Sequence, residues 1–266
     1  MRPKLAIALS ALVIAAVPLV LVGNTLWVLA NPWLVTAAYS VPGFPEDDRG
    51  LSDRERTDLA VAGIRAIRPG SDGVELLRDA RLPGSAPAFA DREIEHMRDV
   101  RGLIAGVLTA WAVALILGIA AALWLRRLGP PGSAGRALVA GAILTVAAMG
   151  LASALMLINF KVFFDAFHGV FFEGESWQFS SSYLLRQLYP DFFWGVAGGA
   201  MSALVVLQAV ALIAVISRTR ASRGRPSPHA PSPASRSPRG PSPAPSGSAG
   251  PARRSARGPA ACAGPA

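Results

Sequence analysis

Two histidines stand out as the residues able to do chemistry in this chain. His168 lies in FFDAFHGVFF, among Phe164, Phe167, Phe171 and Phe172, with Asp165 one helical turn back. His96 lies in EIEHMRDVR, with Asp99 three residues on. An imidazole titrates near pH 6.5, so it can accept or give a proton close to neutrality. A carboxylate three residues away can orient the ring and stabilise its charged form. The chemistry implied is general acid–base catalysis. An aromatic belt at a membrane boundary explains the phenylalanines, but it requires neither histidine nor aspartate among them. A metal site of His96, His168 and a carboxylate is another reading. It is disfavoured because no close-spaced histidine pair exists. No cofactor is expected, and neither a Gly-x-Ser-x-Gly elbow nor a Ser-x-x-Lys box occurs.

What must position these residues is a membrane domain. Hydrophobic residues make up 52% of the 266 and charged residues only 16%. The apolar residues cluster into runs of the 20 or so needed to cross a bilayer. The runs are roughly 5–30, 103–125, 137–158 and 192–216. The predicted fold is an all-α polytopic membrane protein with four transmembrane helices in a domain of residues 1–216. Its outer segments are 31–102 and 159–191, mostly helical and extracytoplasmic. The first run exceeds a signal-peptide core of about 7–15 residues. Asn31-Pro32 after Val28-Leu29-Ala30 is also an awkward cleavage site, so an uncleaved helix is expected.

The net charge of +9 reflects topology rather than affinity for nucleic acid. All 17 acidic residues fall within 31–102 and 159–191. The N-terminus, the 126–136 connection and the tail carry basic residues alone. Short basic connections mark the cytoplasmic side. Both termini are therefore expected in the cytoplasm of a bacterial cell membrane, with His96 and His168 on the outer side.

Within 31–102, Asn31 to Pro45 reads as an irregular exit from the membrane. Ser52 with Glu55 forms a capping box that starts a short helix, stopped by Pro69-Gly70. A second short helix is predicted over 74–82. Asp91 is placed to cap a helix running into the second span, with Glu93, His96 and Asp99 on one face. Gly102 with Gly106, and Gly195 with Gly199, are spaced for close helix approach. From 217 the chain is Pro, Ser, Arg, Ala and Gly without periodicity, the composition of a disordered tail. Its arginines are placed to contact anionic lipid. Neither His229 nor the single cysteine, Cys262, is assigned a role.

The two histidine motifs, with Trp177, Pro190 and Phe192-Phe193 after the second, resemble those of a bacterial four-helix membrane family. That family includes lipoprotein intramolecular transacylase, Lit. The resemblance implies transfer of an acyl chain in a diacylated lipoprotein, from its glycerol ester to the amine of its N-terminal cysteine. A lyso-form lipoprotein results. It also implies that His96 and His168 are catalytic. Residue chemistry fits, because the α-amine has a pKa of about 7.7–8.0 and must lose a proton as it attacks. One histidine can take that proton while the other protonates the leaving glycerol oxygen. Arg98, Arg101 and Asn159 are candidates to stabilise the oxyanion. The phenylalanines are expected to hold acyl chains and Trp177 to fix depth. The competing reading is a non-enzymatic membrane protein whose outer segment docks an envelope partner. A lipid hydrolase using the same histidines is a third.

Overall fold

Helices account for every named element among the described residues, and four of them are long and apolar enough to cross a bilayer. The structure, a computed structural model, describes residues 2–223. Met1 and residues 224–266 lie outside it, and with them His229, Cys262 and nearly all of the predicted tail. The long helices are α1 (Pro3–Leu29), α5 (Asp91–Leu128), α6 (Ser133–Ile158) and α9 (Asp191–Arg223). Helix α9 runs past 216, so residues 217–223 are helical rather than tail.

Helix α1 packs against all three of the others. Its Val13, Val17 and Leu21 are buried with Leu125 of α5, Ala142 of α6 and Val205 of α9. The predicted close approaches do not occur, because a Cβ on Gly102, Gly106, Gly195 or Gly199 would meet nothing within 4 Å. Tight contacts occur at other glycines, among them Gly198, where a Cβ would fall 2.9 Å from Met156, and two that involve α1. A Cβ on Gly23 would fall 2.3 Å from the Trp111 ring, and one on Gly141 would fall 2.7 Å from Val17. A polar knot adds to the apolar packing. Trp111 Nε1 donates to Asn24 Oδ1 at 2.9 Å, Asn24 Nδ2 to Gln208 Oε1 at 3.0 Å, and Gln208 Nε2 to Thr25 Oγ1 at 2.8 Å. Side-chain amides in lipid need such partners.

The remaining helices form a cap at one end of the bundle. They are α2 (Pro32–Tyr39), α3 (Asp53–Ala66), α4 (Glu75–Arg78), α7 (Phe160–Phe171) and α8 (Leu184–Leu188). The exit from the membrane is less irregular than predicted. Pro32, at the first position of α2, has the fixed φ that a helix start favours. The capping box of α3 forms as its sequence dictates, with Glu55 N donating to Ser52 Oγ and Ser52 N to Glu55 Oε2. Helix α4 is a single turn. The chain then folds back through an isolated bridge between Arg81 and Pro87 rather than staying helical to 82.

Val35, Ala60, Leu77, Phe89, Ile94, Leu184, Leu188 and Phe193 form the core of the cap. Each large apolar side chain buried there contributes about 1.5–3 kcal/mol relative to exposure. Buried Arg56 ties the layers together. Its guanidinium lies 5.1 Å from the Tyr39 and Phe44 rings and donates to the Pro45 and Gln187 carbonyls.

Candidate functional site

Helix α5 supplies the first histidine. Its 38 residues extend about 57 Å at 1.5 Å per residue, well beyond a hydrocarbon core of about 30 Å. The charged first turns, up to Arg101, project into the cap. Ala90 precedes the helix and has no side chain to cap it. Asp91 is the first helical residue rather than the cap. Glu93 takes that role: its Oε2 accepts from Ala90 N at 2.7 Å, and its Oε1 accepts from Leu185 N at 2.7 Å. The carboxylate is only 2% exposed. It thereby joins the start of α5 to the start of α8, one turn before His96.

Helix α7 supplies the second. Asn159 breaks from α6 with φ −154° and ψ 94°, and its Oδ1 accepts from Val162 N at 3.1 Å to start α7. His168 lies in the last turn of α7 and is buried. Its Nδ1 is 2.8 Å from the Phe164 carbonyl oxygen. A carbonyl can only accept, so Nδ1 carries a proton and the neutral ring keeps its lone pair on Nε2.

The two imidazoles meet with ring centroids 6.3 Å apart and planes 28° from parallel. Aromatic rings enclose them. Phe172 lies 5.1 Å from His96 and 5.6 Å from His168. Phe164 is 3.9 Å and Trp177 4.9 Å from His168. Phe179, absent from the sequence-based set, presents an edge to His96 at 5.4 Å. Burial pushes the His168 pKa below its ordinary value, against opposing effects from the Phe164 carbonyl and the Asp165 charge. His168 is thus biased towards the neutral ring, which can act as a base.

The supporting residues are arranged differently from expectation. Asp165 pairs with Lys161 one turn earlier, so a backbone carbonyl, not this carboxylate, orients His168. Asp99 is exposed while His96 is buried, so the two do not form a unit. Arg98 is half-exposed and bound to Glu95. Arg101 is committed to the 66–71 turn, donating to the Ala66 and Arg68 carbonyls and to Ser71 Oγ. Asn159 is the cap of α7. The phenylalanines divide. Phe164 and Phe172 face the histidines, whereas Phe167 and Phe171 are nearly half-exposed beside Val162 and Val170. Among the described residues no group of three or more His, Cys, Asp or Glu is arranged to hold a metal ion.

Residues 71–194 match the sequence profile of the family described as Lipoprotein intramolecular transacylase Lit. An uncharacterized protein of Aquifex aeolicus is 29% identical over 186 residues, which cover 70% of this chain and 82% of that protein. The fold is similar to the in meso structure of the membrane-integral lipoprotein intramolecular transacylase Lit from Bacillus cereus. The TM-score is 0.69 at 15% identity, covering 84% of this chain and 99% of that one. A form of the same protein with one histidine replaced by arginine gives a TM-score of 0.66 at 14% identity, covering 84% and 95%.

Proposed function

From a Lit-type sequence signature over residues 71–194 and a Lit-like fold, we propose that this chain is an intramolecular acyltransferase acting on diacylated lipoproteins. The observation that carries the reading is the ring pair itself. Two histidines, one from each motif, stand 6.3 Å apart in a cluster of aromatic rings. In this reading the active end of the bundle faces outward from the cytoplasmic membrane. The exposed apolar side chains of α7, Val162, Phe167, Val170 and Phe171, continue from the exposed Leu157 and Ile158 of α6. They offer acyl chains a path along lipid.

The steps balance without water. The α-amine of the N-terminal cysteine attacks the carbonyl carbon of a glycerol ester. A nitrogen–carbon bond forms, and the carbonyl electron pair moves onto oxygen. The lone pair of His168 Nε2 takes the proton that the nitrogen sheds. The carbonyl re-forms, the carbon–oxygen ester bond breaks, and the glycerol oxygen leaves with a proton from His96, which receives the proton held by His168 as it gives up its own, so both rings end neutral. The products are an amide and a free glycerol hydroxyl. Two positioned acid–base groups contribute about 10²–10⁴-fold each. Ester and amine belong to one molecule, so the remaining task is holding a near-attack pose. A Ser or Cys nucleophile is not needed.

The test is the product formed when the protein is expressed with a reporter lipoprotein. Intramolecular transfer leaves the mass of the lipidated N-terminal peptide unchanged and puts one acyl chain on the amine. Release of free fatty acid, with the peptide lighter by one chain, would instead identify a hydrolase.

A further inference from the structure

The residues expected to stabilise the oxyanion are engaged elsewhere, and two unused polar atoms remain beside the histidines. Four buried side-chain polar atoms have no hydrogen-bond partner among the described residues, and two of them belong to this cluster: His96 Nδ1 and Trp177 Nε1. Buried polar groups are nearly always satisfied, so each orphan requires a reason. For tryptophan the case is sharper. The indole N–H is a donor only and usually finds an acceptor when the ring is buried. Trp177 is 9% exposed. Its ring stacks on His168 at 4.9 Å with planes 29° apart, and the Phe164 ring meets it edge-on at 6.2 Å. The packing thus holds an unused donor one ring away from the base.

We propose that Trp177 is a further catalytic residue, whose indole N–H donates to the carbonyl oxygen of the scissile ester as that oxygen becomes an oxyanion. This rests on the acyl-transfer reading above. When the amine attacks, the carbonyl π electrons move onto oxygen and the hydrogen bond from Nε1 strengthens. When the carbonyl re-forms, the bond weakens. No proton leaves the indole, so the proton balance of the two histidines is unchanged. A neutral donor held between the Phe164 and His168 rings suits the task, because it favours charge only where charge develops. It also completes the site without Arg98, Arg101 or Asn159.

The test uses the full chain reconstituted in lipid with a synthetic diacylglyceryl lipopeptide. Trp177→Phe keeps a ring against His168 and removes the N–H. The expected result is a kcat lower by about 10²-fold, the size seen for loss of one oxyanion donor, with KM within about twofold, as for a group that acts only in the transition state. Incorporation of 3-benzothienylalanine at position 177 keeps the two-ring shape and replaces N–H by sulfur. It should show the same loss, and it decides the matter if the Phe variant fails to fold. Full kcat with the sulfur analogue overturns the proposal and leaves Trp177 as an apolar wall, as does a rise in KM alone. Absence of amide-linked product from the wild-type chain overturns the acyl-transfer reading itself, and this assignment with it.

Discussion

Replacing Glu93 by alanine should loosen the cap where it meets the bundle. The carboxylate accepts two hydrogen bonds at 2.7 Å, from Ala90 N and Leu185 N. Hydrogen bonds to a charged acceptor contribute about 1.5–3 kcal/mol each, and a buried donor left alone costs a similar amount. Leu185 N is buried, whereas the Ala90 bond is only partly so and water can replace some of it. The expected loss is about 3–5 kcal/mol, which is at the large end for a single substitution. It should appear as local opening of α8 rather than loss of the spans, because opening free energies differ between units of a structure. Hydrogen exchange of a peptide covering 184–188, followed by mass spectrometry, reads it directly. An opening easier by about 3 kcal/mol speeds exchange by roughly a hundredfold. Glu93→Gln keeps one acceptor oxygen and should show about half the loss. Exchange within about threefold of wild type in the alanine variant would refute the clamp.

Gly23→Val drives a side chain into the Trp111 ring, 2.3 Å from the position of its Cβ, and should lower the melting temperature of the purified protein; Gly102→Ala, which meets nothing, should be neutral or stabilising by up to about 1 kcal/mol. Arg98→Ala should leave kcat within about twofold of wild type in the acyl-transfer assay, since its partner Glu95 is a surface residue. The pH profile should reflect a depressed His168. A base works above its pKa, so log(kcat/KM) should rise with unit slope below the amine pKa of about 7.7–8.0, steepening only below about 6.5. Steepening above pH 6.5 would show a histidine that burial has not lowered.

The sequence carried the local features well and the long-range ones poorly. Four apolar runs announce four long helices because the bilayer demands length and composition alone. Ser52 and Glu55 announce the start of α3 because a capping box is complete within four residues. An even number of spans between the two motifs placed both histidines at one end of the bundle. Spacing alone puts Asp165 beside His168, yet Lys161 at i−4 is the stronger competitor for that carboxylate. Pro32 at a helix start was also readable. Three-residue spacing puts Glu93 on one face with His96, but its bond to Leu185 spans 92 residues. No periodicity encodes such a contact. The same holds for Gly23 and Gly141, whose neighbours depend on which helix occupies the centre of the bundle.

In the proposed reaction His96 and His168 together move an acyl chain from oxygen to nitrogen. Its most direct test is tandem mass spectrometry of the N-terminal lipopeptide of a reporter, made beside wild type, His96→Ala and His168→Ala. Wild type should give a peptide of unaltered mass whose fragments carry one chain on the cysteine nitrogen, and neither variant should give it while both still insert in the membrane. Amide-linked product from both variants at the wild-type level would contradict the account.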